Sequence, residues 1–310
     1  MIRDEVMDYT LLSRFQGSWL GSAIGEALAN EQEQLGKAHR EQLKIIQYQP
    51  SPWLEARNSI ALALIKSQES SLELSQVQNN LKSCSSSDRV GLFLLPLIMF
   101  YVDDFKELRE IVTQNNSYSQ KEAENIQNGL IWGNTISLAF REKLDVNNLI
   151  ESILFSASID STLLMKQLKV VDLALKTGKT INKVVEELSS AGTSNQIALA
   201  LSLYCFGVAP ENFELSTGLA INNKYRNRNV AALTGALSGA YNSFIGIPLK
   251  SRMLARQNPT YQQAMTIVTK LFNIWSGVYT SPKHNSQLTI VAAPRTIQTR
   301  SSLKIISQTE

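Results

Sequence analysis

Cysteine and histidine are nearly missing from this chain of 310 residues: each occurs twice, as Cys84 and Cys205 and as His39 and His284. Four such residues, scattered along the chain, exclude a disulfide framework and a zinc site built from Cys and His. Two isolated thiols suit a reducing compartment, and a cytoplasmic location is expected. Cys84 stands in the serine-rich "SCSSSD" with no paired histidine, and Cys205 in "LSLYCFG" reads as core, so neither reads as a catalytic thiol. His39, in "GKAHREQ", and His284, near the C-terminus, read as solvated. Long apolar runs are also missing. The longest, "VGLFLLPLIMFYV" (90–102), has thirteen residues and an internal Pro96. It is too short to span a bilayer and reads as a core helix, so no membrane span is expected. Asp4, Glu5 and Asp8 take the place of the basic start of a signal peptide. An excess of one charge is lacking too. The formal net charge is +3, and all of it falls after residue 280, from Lys283, Arg295, Arg300 and Lys304 against Glu310. A body that is neutral overall argues against broad nucleic-acid binding.

What is present is helical patterning on a globular composition, 44% hydrophobic and 18% charged. The first helix is expected over 11–37, with Gly17, Gly21 and Gly25 as a small stripe at i, i+4, i+8. Each glycine costs a helix about 1 kcal/mol relative to alanine, so close packing against another backbone is the expected compensation. Further helices are expected over 53–68, 90–102, 103–115, 120–142, 147–157, 161–177, 180–190, 194–206, 211–221, 229–245 and 258–279. Asp103–Asp104, before "FKELREI", reads as a cap with a first-turn acid. No hairpin series or tandem repeat occurs, so the expected fold class is all-α, with a helical domain over 1–280. Residues 281–310 are polar and basic and read as an extended or disordered tail. Its two β-prone runs, 288–293 and 303–306, could instead dock a protein partner.

The stretch "YRNRNVAALTGALSGAY" (225–241) poses a problem. From Val230 its small residues predict a buried helix, yet Arg226 and Arg228 stand at the start, where the helix dipole favours anions. A resemblance explains them. The stretch "RFQGSWLGSAIGEALA" (14–29) is similar to the opening R-F-x-G-x-x-x-G-x-A-x-G-D-A-x-G of the ADP-ribosylglycohydrolases, with Glu26 for the Asp and Ala29 for the last Gly. Glu55-Ala56-Arg57-Asn58, before "SIALALI", stands where that family has T-D-D-T. "SCSSSDR" (83–89) stands at its G-N-G-S-A-M-R and keeps Arg89. Arg226-Asn227-Arg228-Asn229 stands at the end of its G-G-D-T-D-T, before "VAALTGALSGA".

The resemblance implies an all-α fold over roughly 13–248, a compact orthogonal multi-helix domain whose active members hold two Mg²⁺ between helices. It also implies that four aspartate ligand positions have become Ala56, Arg57, Arg226 and Arg228, and three threonine positions Glu55, Asn58 and Asn229. A guanidinium offers no lone pair to a metal, so no metal or other cofactor is expected. Glu26 and Glu55 remain against Arg57, Arg226 and Arg228. Two readings follow. The arginines replace metals as internal counter-ions, or the leftover positive charge and the helix start at Arg228 and Asn229 receive a small anion or an acidic partner side chain. The expected function is that of a non-catalytic binding, regulatory or scaffold module. The alternative is a hydrolase of ADP-ribosyl or related linkages with residual or altered metal-independent activity, with Glu26 or Glu55 as its base.

Overall fold

The computed structural model describes residues 10–35, 52–66, 77, 81–82, 84, 86–113, 118–156, 162–191, 197–225 and 227–277. Those residues contain fourteen helices and no strand. In chain order they are α1 (Leu11–Leu35), α2 (Pro52–Lys66), α3 (Ser87–Phe93), α4 (Leu95–Phe100), α5 (Phe105–Thr113), α6 (Gln120–Phe140), α7 (Leu149–Ser156), α8 (Thr162–Thr177), α9 (Ile181–Ala191), α10 (Ala198–Val208), α11 (Phe213–Ile221), α12 (Arg228–Asn242), α13 (Leu249–Arg256) and α14 (Pro259–Trp275). The all-α expectation holds. No helix among the described residues is long and apolar enough to cross a membrane. His39, Arg226, His284 and the 281–310 segment lie outside the described residues.

The central contact is α1 against α12, antiparallel and backbone to backbone. A Cβ built on Gly17 would lie 2.3 Å from the Gly239 carbonyl oxygen, one on Gly21 2.2 Å from that of Gly235, and one on Gly25 2.1 Å from that of Ala231. The spacing of four on each helix keeps these small residues on one face. The other faces of α1 are also covered over residues 11–29. Phe15 and Trp19 enter the main core, while Leu20, Ala23 and Ile24 enter a second one with Phe213, Ile247, Ala255 and Tyr261. Phe15 meets the rings of Phe140, Phe272 and Trp275, at centroid distances of 4.7, 5.9 and 6.2 Å. Buried Arg14 closes the far end of α12: Nη1 donates to the Tyr241 carbonyl at 2.7 Å and to that of Ala240 at 3.2 Å. A cation suits that negative helix end, and Glu142 pairs with it at 2.7 Å.

Two departures from the sequence reading have local causes. The run over 90–102 is two helices, α3 and α4, meeting at Leu94. Pro96 has no N–H for the Leu92 carbonyl, so the ladder is interrupted there. Residues 249–256 form α13 after Pro248. This stretch is only eight residues long and opens without a side-chain cap, so it offers little helix-start signal in the sequence. Asp104 caps α5 as expected, its Oδ1 accepting from the Glu107 N–H at 2.9 Å.

Candidate functional site

The altered motif positions fall on three elements: Glu26 on α1, Glu55 to Asn58 on α2, and Arg228 and Asn229 at the start of α12. The Gly25–Ala231 crossing lies about one turn inside α12. The α1 chain therefore passes beside the N-terminal end of that helix.

Trp19, Ser22 and Glu26 follow one another at i, i+3 and i+7, so they line one face of α1. Arg57 reaches that face from α2 and is buried, 2% exposed. Its guanidinium carbon sits 4.2 Å from the centroid of the Trp19 ring, a cation–π geometry. Its Nη1 donates to Ser22 Oγ. That hydroxyl donates in turn to the Trp19 carbonyl at 2.9 Å, which leaves a lone pair facing the arginine. Glu26, one turn further, is also 2% exposed. Tyr261 of α14 closes the cluster and donates to the Ala23 carbonyl at 3.4 Å. Burial pushes its phenol far above the ordinary range; Glu26 pushes the same way and Arg57 opposes. Buried Arg57 and buried Glu26 thus both act on the buried Tyr261 phenol, near the junction of α1, α2 and α14.

A second cluster occupies the start of α12. Asn227 is the cap, its Oδ1 accepting from the Asn229 N–H at 2.8 Å. The Asn229 side chain donates to the carboxylate of Asp88, which is buried in the first turn of α3. Tyr225 accepts from Asn227 Nδ2 at 3.3 Å. Burial raises its phenol, the Asn227 hydrogen bond lowers it, and Asp88 raises it further. Next to Asp88, Ser87 Oγ donates to Asn125 Oδ1 at 3.0 Å, carrying the polar contacts onto α6. Asp88 is thereby held beside the start of α12.

The sequence-derived residues therefore separate. Arg57 and Glu26 are buried in one cluster. Glu55 is exposed in the first turn of α2, where it suits the dipole but does not enter that buried cluster. Ala56 packs on the main core, and Asn58 is half-buried. Arg228 is exposed, unlike Arg57, and Asn229 engages Asp88. Arg226 lies outside the described residues. Sequence reasoning missed Asp88, although an acid in a first turn after a serine loop is a signal. It also missed Tyr261, which no local pattern links to the site. Cys84 is buried, and burial pushes its thiol up to about 11, away from the thiolate form that a nucleophile needs. Among the described residues, no three His, Cys, Asp or Glu side chains gather as a metal site would need.

No curated protein matches the chain. Among solved structures, one described as an ADP-ribosylglycohydrolase-related protein complex matches with a TM-score of 0.57 at 15% identity, covering 85% of this chain and 98% of that one. At that identity the likeness concerns the fold alone. The sequence profile of the ADP-ribosylglycohydrolases matches residues 53–279, from α2 through α14. Matched over most of its length and folded entirely in helices, the chain belongs to the ADP-ribosylglycohydrolase family.

Proposed function

We propose that this protein is a non-catalytic member of its family, a binding or scaffold module whose former metal site has become an internal ion cluster. The observation that carries the reading is Arg57: buried on α2, stacked on Trp19 and bonded to Ser22. The family's Mg²⁺ pair does not fit these residues. Mg²⁺ needs oxygen donors in near-octahedral array, and Arg57 offers none. At about 4 Å and an effective dielectric near 20, a guanidinium against Mg²⁺ costs on the order of 8 kcal/mol. Asp88 is committed to Asn229. Of the two readings of the arginines, the internal one has the better support: Glu26 shares the buried cluster with Arg57, and Asp88 answers the α12 start. The helical domain is taken as 1–280 and the tail as 281–310, with a protein partner of the module as the expected ligand.

The test combines titration and assay. Calorimetric titration with Mg²⁺ should show no stoichiometric binding at micromolar affinity, and an ADP-ribosylated protein should not be turned over. Turnover that disappears in Glu26→Gln would refute the proposal. A thermal shift with ADP-ribose or phosphate, abolished by Arg228→Ala, would instead favour an external anion at the helix start.

A further inference from the structure

Helix α13 hides one side and shows the other. Leu254 and Ala255 join Ile247 and Phe244 in the second core. Leu249, Lys250, Met253 and Arg256, at i, i+1, i+4 and i+7, form the outward face, and all four are exposed. Leu249 is 63% exposed, Met253 55%, and Ile245 in the preceding turn 58%. Isolated exposed aliphatics are ordinary, but a cluster calls for an occupant. Three of the eight large apolar side chains that stand exposed among the described residues fall within this stretch of nine. Apolar and basic side chains alternate on one short convex ridge.

Charge identifies the kind of occupant. All the charged residues of α13 are basic, Lys250, Arg252 and Arg256, and residues 242–257 contain no Asp or Glu. A uniformly anionic surface suits a face on which apolar and basic side chains alternate. We propose that the outward face of α13, together with Ile245, docks on an anionic lipid surface. Leu249, Met253 and Ile245 enter the boundary between headgroups and acyl chains, while Lys250 and Arg256 lay their stems alongside and bring their charges to the phosphates. This is surface attachment, and it does not depend on the reading of the α1–α2–α12 site.

The test is co-sedimentation of the full chain with vesicles of phosphatidylcholine alone or mixed in equal parts with phosphatidylglycerol. Binding to the mixed vesicles only is expected, falling about tenfold or more when salt rises to about 0.5 M. Leu249→Ser with Met253→Ser should weaken binding about tenfold, and Lys250→Glu with Arg256→Glu at least as much. Lys166→Glu with Lys169→Glu, the same charge change on exposed positions of α8, should keep most of it. All substituted positions are exposed, and circular dichroism checks that each variant folds. Failure to bind the mixed vesicles, equal binding to neutral ones, or binding untouched by the Leu249/Met253 pair would overturn the proposal. Retention on polyglutamate without vesicle binding would assign the face to an acidic protein and overturn it as well.

Discussion

A guanidinium sealed against an indole ring needs a compensating charge, and Glu26 is the acid buried on the same face of α1. Removing one member of a buried opposite-charge pair typically costs about 3–5 kcal/mol, because the other is left in low dielectric. Glu26→Ala is expected to lose that much in urea unfolding. Glu55→Ala should stay within about 0.5 kcal/mol, since Glu55 stands in solvent. If the two variants melt alike, Glu26 and Arg57 do not compensate one another. The thiols give a second prediction at this scale. Both cysteines are buried, and burial holds Cys84 near 11. At about pH 8 its thiolate fraction is then on the order of one in a thousand. Ellman's reagent should find no reactive thiol in the folded protein and both in denaturant.

The helices make their own predictions. Gly235→Ala places a Cβ 2.1 Å from the Gly21 carbonyl oxygen, so α1 and α12 must part. About 3 kcal/mol or more should be lost in thermal unfolding, far beyond the ~1 kcal/mol that alanine gains in helix propensity. Gly218→Ala in α11 meets nothing within 4 Å and should gain up to about 1 kcal/mol. At the start of α6, the Ser119 N–H and hydroxyl both donate to Glu122, at 2.7 Å each, and hold its carboxyl below the usual range. A depressed carboxyl contributes stability above its unfolded value of 4.5 and loses it as pH falls through the folded value. Ser119→Ala should therefore destabilise more at about pH 7 than at about pH 3, where only the hydroxyl's bond from the Glu122 N–H is lost, and the Glu122 titration should move up in NMR. The glycine stripes were legible because a spacing of four is a local signal. The Asp104 cap was legible for the same reason. The arginines of the motif were legible as types, but not their fates: burial of Arg57 depends on Trp19, 38 positions away, and exposure of Arg228 on what surrounds the α12 start. Asp88 with Asn229 and Tyr261 with Ala23 join positions 141 and 238 residues apart, and no periodicity encodes such pairs.

For the molecule as a whole, α1 is the element that nothing else replaces. It serves two cores and the α12 backbone at once, and residues 11–29 leave little of their surface for water. A chain starting at residue 53, where the family match begins, would lack it. Such a fragment should lose near-UV dichroism and elute as an expanded or aggregated species; a cooperative melt like that of the full chain would show that α2 to α14 suffice. The closeness of α1 to α12 also has a consequence in time. Gly25 and Ala231 are separated by about 200 residues, and a ribosome adding about 5–20 residues per second needs about 10–40 s to bridge that gap. Through that interval the nascent helix carries a strip of bare backbone and two unsheltered apolar faces. Its first companion during synthesis should therefore be a chaperone, with α12 taking over that place only near the end of translation.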